Sequence, residues 1–523
     1  MRRSKEAAKW VLAAALLGSM PIGQALADPP VAPTVVDKPT NAPPVPRAMP
    51  DLIPYWNFDP PKSPLFDISK FTLSGDMRIR GEYRHAGNFG QGGVLNNDAF
   101  VQQWARIGLN YSVSQDVDFF GQFQYSKNWG GAATNANAAN DSSAQTGNVN
   151  GSVLGMRQAF MMIRNLGVDG LSLKLGRQLV VMGNHRLFGH FDWNNQAFSH
   201  DGITFQYNQP TYEFWGGWLH EANSDAVASG ASSGGVTNAT SGGANADVVF
   251  ARLAFKPIAG LSIEPLWVWL NNKTGPAGTT DITGTAQTAV TGAHAAGQSR
   301  HTLGGRIAYR QNMFDGTAEA YWQTGHFDMT GGNQNVSINA VAMAFEGGIT
   351  FQNVPTNPRL GLEFNYASGD NSANCSGANT AGCQGNANTF ENLYPTNHIV
   401  MGYADRMAWR NMVGYSGSLQ LNPTQASHFE TRFWVFQKAN KNDCWYTASQ
   451  ACQSAVNTQS NELYKELDLI YTLFFKGNKV AWQTGWSYLW AGSGMDQIVA
   501  GSTGGLPNAS NSTWGYTQLQ INF

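Results

Sequence analysis

The chain has 523 residues, of which 42% are hydrophobic and only 13% charged, with a formal net charge of −2. Soluble globular domains carry about 25% charged residues, and the deficit here is filled by 58 glycines, by amides and hydroxyls, and by aromatics at 12%. These figures exclude a charge-rich disordered chain and a basic nucleic-acid binder; the lack of an apolar run of about 18 residues past position 30 excludes a helical membrane protein.

The first 27 residues read as a secretory signal peptide. Arg2, Arg3, Lys5 and Lys9 precede a short apolar stretch, and Ala25-Leu26-Ala27 stands before Asp28 as a small-residue cleavage site. Residues 28–66 are Pro-rich and cannot join a sheet ladder, which suggests a periplasmic leader. From 67 to 523 the pattern changes to strands.

Phe71, Leu73, Met77, Ile79 and Tyr83 alternate with Ser74, Asp76, Arg78, Arg80, Glu82 and Arg84. The same period of two recurs over about 18 segments, among them 99–113, 170–178, 299–310, 402–420 and 461–475. Tight connections near Gln115, Leu166, Gln209, Pro257, Asn312, Pro355, Pro423 and Gly477 alternate with long Gly/Asn/Ser/Thr-rich ones. Short turns on one side and long loops on the other are the asymmetry of an outer-membrane β-barrel, and an even strand number fits. The expected fold is therefore all-β: a transmembrane antiparallel barrel of about 18 strands in a Gram-negative outer membrane. The last strand alternates up to the terminal Phe523. Closure onto the first strand would remove its exposed edge, and such an ending looks like the signal read by the outer-membrane assembly machinery.

Charges are costly on a lipid-facing wall. Parity therefore places Arg78, Arg80, Arg84, Arg106, Lys174, Arg306, Arg310 and Arg432 in the lumen, with Asp76, Glu82, Glu319, Glu363, Glu430, Glu466 and Asp468. They serve either as a selectivity lining or as cross-strand braces. The cluster Arg78, Arg80, Arg84 and Arg106 has the best claim to a positive constriction. The connection 180–198, with Asn184, His185, Arg186, His190, Asp192, Trp193, Asn194 and Asn195, either folds inward to narrow the pore or stands as an ordered outer loop.

The four cysteines fall into two local pairs, Cys375 with Cys383 and Cys444 with Cys452, read as disulfides in an exported chain. Neither C-x-x-C nor C-x-x-C-H occurs, so no metal, haem or other cofactor is expected.

Several stretches resemble the alginate export family of outer-membrane proteins. They are Leu173-Lys174-Leu175-Gly176-Arg177-Gln178, then Gly183-Asn184-His185-Arg186-Leu187, and Phe198-Ser199-His200-Asp201-Gly202. Tyr366-Ala367-Ser368-Gly369-Asp370, Thr389-Phe390-Glu391-Asn392-Leu393-Tyr394-Pro395-Thr396-Asn397-His398, Gly402-Tyr403-Ala404-Asp405 and Glu466-Leu467-Asp468-Leu469 follow in order. The resemblance implies a monomeric 18-stranded passive conduit, with a basic constriction for a polyuronate in the alginate exporter itself. Arg177, Arg186 and Asp201 match motif positions, as solute contacts or as loop braces.

The expected function is passage of a hydrophilic solute, such as an anionic polysaccharide or small anions. Two other classes stay open. Ser199-His200 and Ser427-His428 are adjacent pairs of a kind a lipid hydrolase uses, although strand neighbours face opposite ways. A sheath around a periplasmic electron-transfer protein would need no cofactor of its own.

Overall fold

The computed structural model describes residues 70–130, 152–221, 246–272, 296–328, 336–371, 386–448, 452–454 and 458–523, apart from Val94, Asn96, Asn194, Gln196, Ala197 and Thr503. The segments read as signal peptide and leader lie outside the described residues. So do Cys375 and Cys383, with the disulfide expected between them.

Eighteen long strands form one closed antiparallel sheet. The first nine are β1 (Phe71–His85), β2 (Asp98–Ser112), β3 (Val117–Gly130), β4 (Ser152–Ile163), β5 (Leu171–Gln178), β6 (His200–Asn208), β7 (Tyr212–Glu221), β8 (Ala246–Phe255) and β9 (Leu261–Asn272). There follow β10 (Ala296–Gln311), β11 (Phe314–Asp328), β12 (Val336–Thr350), β13 (Arg359–Ala367), β14 (Met412–Thr424) and β15 (Ser427–Gln437). A small hairpin of β16 (Trp445–Tyr446) and β17 (Cys452–Ser454) interrupts the series. The wall resumes with β18 (Glu462–Phe475), β19 (Val480–Ala491) and β20 (Ser512–Asn522), and α1 (Ser493–Gly501) lies in the connection before β20.

Each wall strand pairs with its chain neighbours, and β1 pairs with both β2 and β20. The seam runs from Asp76 opposite Asn522 to His85 opposite Thr513. At its lower end Gly75 and Phe523 exchange two backbone hydrogen bonds, 2.8 and 2.9 Å. Closure leaves no unpaired edge at the seam, the condition for a sheet that spans a bilayer.

The period of two separates two environments. Leu73, Ile107, Phe123, Ile307, Trp322, Phe345, Leu362 and Leu519 are exposed on the outside. Asp76, Arg78, Arg80, Arg106, Arg306, Glu319, Glu363, Arg432, Glu466 and Asp468 are buried on the inside. An apolar exterior over a polar interior is the arrangement a lipid solvent requires.

The tight turns rely on left-handed residues. Lys476, Gly477 and Asn478 carry φ of 53°, 63° and 66° between β18 and β19, which only Gly and Asn adopt at low cost.

One expected strand is displaced. The pattern predicts a strand from 402, whereas β14 begins at Met412. Asp405 and Asn411 have positive φ, 55° and 43°, and residues 402–411 turn into the barrel instead.

Candidate functional site in the lumen

Two chain segments fill the upper lumen. The first leaves the wall after Gln178 and rejoins it at His200. Its turns rest on positive φ at Gly183, His185 and Phe191. The second runs from Asn386 to Asn411. Hydrogen bonds zip the two together: Tyr394 N donates to Leu187 O at 2.8 Å, Gly189 N to Tyr394 O at 2.7 Å and Thr396 N to His185 O at 2.9 Å.

The segments have an apolar core of their own. Leu187, Phe188, Trp193, Phe390, Leu393, Tyr394, Met401, Tyr403, Met407 and Trp409 are buried in one cluster with inward residues of the wall. Those wall residues include Trp215, Leu219, Val248 and Phe250 on β7 and β8, and Ala340, Ala342 and Ala344 on β12. Burying a large apolar side chain is worth about 1.5–3 kcal/mol. The lumen-facing positions are apolar here because they meet protein, not water.

Charged groups fix the first segment at both ends of its span. On the β1–β4 side, Asp192 is held by Nη2 of Arg106 at 2.8 Å and Nη2 of Arg157 at 2.6 Å. Burial works against its ionisation, but Arg106, Arg157 and His190 outweigh it and hold the carboxyl well below the usual range. Arg78 donates to the carbonyls of Asp192 and Trp193 at 2.7 and 2.8 Å, and Arg80 donates to that of Trp193 at 2.6 Å. The Trp193 ring stacks on His398 with centroids 3.8 Å apart, and the Arg80 guanidinium lies 3.5 Å from its centroid. The Trp104 ring carries Arg78 at 3.4 Å and Arg106 at 3.8 Å.

Across the lumen, Arg186 reaches Glu319 at 2.8 Å and Glu363 at 2.6 Å, while Arg306 donates to Asn184 at 2.7 Å and pairs with Glu264 at 2.8 Å. The segment thus bridges the barrel from β1 and β2 to β10, β11 and β13. The second segment is anchored through Glu391, which pairs with Arg300 and Arg410 at 3.3 and 3.1 Å, and through Ala404 N, which donates to Glu466 at 2.9 Å.

The inner wall is divided by sign. Arg78, Arg80, Arg84, Arg106 and Arg157 outnumber Asp76, Glu82 and Asp192 on one side. On β11 to β18, Glu319, Glu363, Glu430, Glu466 and Asp468 outnumber Arg359 and Arg432, with Arg186 of the inserted segment set among them.

Most residues assigned inward by parity are buried on the inner face, but Arg310 among them, and Arg177 and Asp201 from the family motif, need correction. Arg177 and Asp201 pair at 2.8 Å on the outer face of β5 and β6. Their neighbours Gln178 and Thr204, which bond each other at 2.8 Å, are the buried inward ones. A solute in the lumen does not meet Arg177 or Asp201. Arg310 has inward parity, yet it lies exposed beside the β10–β11 turn, away from the segments. Arg84 is inward and pairs with Glu82 at 2.9 Å, and Arg432 pairs with Glu363 and with Glu430.

The Ser-His pairs make no dyad. Ser199 donates to Arg157 O; Ser427 is bonded to Thr424, while His428, with the inward parity of Glu430 and Arg432, meets Asn422 Oδ1.

Of the four cysteines expected in disulfides, Cys444 is disulfide-bonded. The side chain of Cys452 lies outside the described residues. Cys375 and Cys383 lie outside them entirely, and so does the bond expected between them.

Arg157 and Glu391 escaped the sequence reading. A register shift between Gln122 and Phe123 breaks the alternation of β4 beside Arg157, and Glu391 sits in a segment with no period at all. The sign that marked Glu391 was its place in the 389–398 motif.

A closed 18-stranded barrel with an apolar belt and an inward-folded charged segment defines an outer-membrane channel. The family model for alginate export matches residues 69–225 and 251–499, so the chain belongs to the alginate export family. Among solved structures, Acinetobacter baumannii OccAB4 aligns with a TM-score of 0.54 at 10% identity, covering 86% of this chain and 98% of that one. OccAB2 of the same organism gives 0.53 at 9% identity, with 86% and 98% covered. These identities speak to the fold alone. No curated protein matches the sequence. The family is that of alginate export, and the fold shared with the solved structures is the closed barrel.

Proposed function

We propose that this barrel passes a hydrophilic anionic solute, a carboxylate-bearing polyhydroxylated chain or small organic anions, across the outer membrane of a Gram-negative cell. The observation that carries the reading is the Asp192 carboxylate between Arg106 and Arg157. The chain's own acid occupies a carboxylate cradle on the positive wall, and a solute carboxylate has the same charge and fork geometry. Arg80 and His398, which now sandwich the Trp193 ring, would present a flat slot beside that cradle to a sugar ring. The excess of acids on β11 to β18 adds a transverse field that orients a polar solute and keeps it hydrated.

In this reading the inserted segment is a resident competitor, and passage requires its carboxylate to yield. The barrel acts as a monomer, delivered to the membrane through its terminal strand. Block of ion current through the reconstituted protein tests the solute class. An oligouronate should block at a concentration at least about tenfold below that of a neutral oligosaccharide of equal length, the worth of one charge-assisted contact. Equal block by both would remove the anionic reading.

A further inference from the structure

The outer face of the barrel has a low point. On β12 the outward residues Ile349, Phe345, Met343 and Val341 give an apolar stretch of about 20 Å, at about 3.3 Å per residue and a tilt near 40°. On β5 and β6 the stretches Leu171–Leu175 and Ile203–Tyr207 rise only about 10 Å before Arg177 and Asp201 end them. The usual apolar band is about 25 Å tall.

Arg177 and Asp201 begin a row. Register partners carry it round the wall: Arg177 faces Asp201, Asp201 faces His220, His220 faces Asp247, and Asp247 faces Asn271. Asn271 faces Ser299, which faces His326. The first four are linked in pairs, Arg177 to Asp201 at 2.8 Å and His220 to Asp247 at 3.0 Å. Just below the row are indoles whose N–H groups reach up to it. Trp218 donates to Asp247 at 3.0 Å and Trp269 to Ser299 at 2.9 Å. Indoles with the ring in lipid and the N–H toward polar groups mark a membrane interface. Because the strands tilt, a row perpendicular to them slopes, and it descends toward β5 and β6.

We propose that this row is a docking line for the headgroups of outer-leaflet lipids, and that the leaflet is drawn down against β5 and β6. A bilayer meets a short apolar wall by thinning. The row offers donors and acceptors in alternation, Arg177, Asp201, His220, Asp247, Asn271 and Ser299, which suits phosphate-bearing, hydroxyl-rich saccharide headgroups better than acyl chains. Gln178 and His200, where the inserted segment leaves and rejoins the wall, stand one residue beyond Arg177 and Asp201. Headgroups on the row therefore abut the root of that segment.

Site-directed nitroxides test this in asymmetric vesicles with lipopolysaccharide outside. Leu175→Cys and Ile203→Cys lie four residues above the first outward residue of β5 and the last of β6. Phe345→Cys and Phe364→Cys lie at matched height on β12 and β13. Collision with a water-soluble nickel chelate, relative to oxygen, should be at least about fivefold greater at 175 and 203 than at 345 and 364. Equal, deep immersion at all four sites would overturn the proposal. So would low collision with both probes at 175 and 203 together with cysteine cross-linked dimers, which would assign the face to a second copy.

Discussion

The Asp192 carboxylate lies 2.6 Å from Nη2 of Arg157 and 2.8 Å from Nη2 of Arg106. One acid on an inserted segment thereby ion-pairs with two arginines of the wall and leaves one positive charge in excess. Its protonation sets how the segment responds to pH. Burial opposes ionisation, yet Arg106, Arg157 and His190 outweigh it, and the folded carboxyl is held below its ordinary value. Such a group contributes stability above the unfolded value, near pH 4, and loses it only as pH falls through the lower folded value. The contribution of Asp192 should therefore stay constant between about pH 7.5 and 5: the difference in ion current between wild type and Asp192→Asn should not change through that window. A difference that shrinks as pH falls to about 5, recorded in planar bilayers, would contradict this anchor.

Arg186 is the matching anchor on the far wall. It is fully buried between Glu319 and Glu363. Arg186→Ala leaves Glu319 without its cation and Glu363 with Arg432 alone, and breaking a buried pair costs about 3–5 kcal/mol. Heat-modifiable migration on gels should shift to lower temperature. Arg186→Lys should recover part of the loss, since an ammonium keeps the charge without the fork.

Substitutions at Arg177 and Arg310 should leave ion selectivity unchanged. Arg177 faces outward with Asp201, and Arg310 lies exposed at a turn. Reversal potentials of Arg177→Ala and Arg310→Ala in a salt gradient should equal the wild-type value within a few millivolts. A shift in either variant would place that side chain on the conduction path.

The barrel seam makes its own demand. A Cβ on Gly75 would come 2.5 Å from the ring of Phe523, so Gly75→Val must displace the terminal ring. The yield of assembled, heat-modifiable barrel should fall for Gly75→Val. Deletion of Phe523 should lower it as well, since the two backbone bonds to Gly75 go with it. Wild-type yields in both variants would show that this end of the seam does not matter for assembly.

The wall was legible because lipid enforces one rule, apolar outside and polar inside, on every strand. That rule located Arg78, Arg80, Arg106, Arg306, Glu363 and Glu466. It fails where the lumen holds protein. Trp215, Leu219, Val248 and Phe250 face inward and are apolar because they pack on the inserted segments, and nothing in a period of two announces that. Arg157 was hidden by a register shift in its strand. Residues 402–411 read as the start of a strand, and the left-handed Gly402, Asp405 and Asn411 turn them away from the wall. Composition alone does not tell whether 180–198 folds in or out; the pairing of Asp192 and Arg186 with opposite walls decides it.

In the proposed function, a carboxylate cradle of Arg106 and Arg157, occupied by Asp192, controls an anion path. Single-channel current and reversal potential of Asp192→Asn, measured beside wild type in planar bilayers, test it most directly. The substitution keeps the size of the side chain and removes its charge. Larger unitary current and a shift toward anion preference are the predicted result. Unchanged conductance and selectivity, or a shift toward cations, would contradict it.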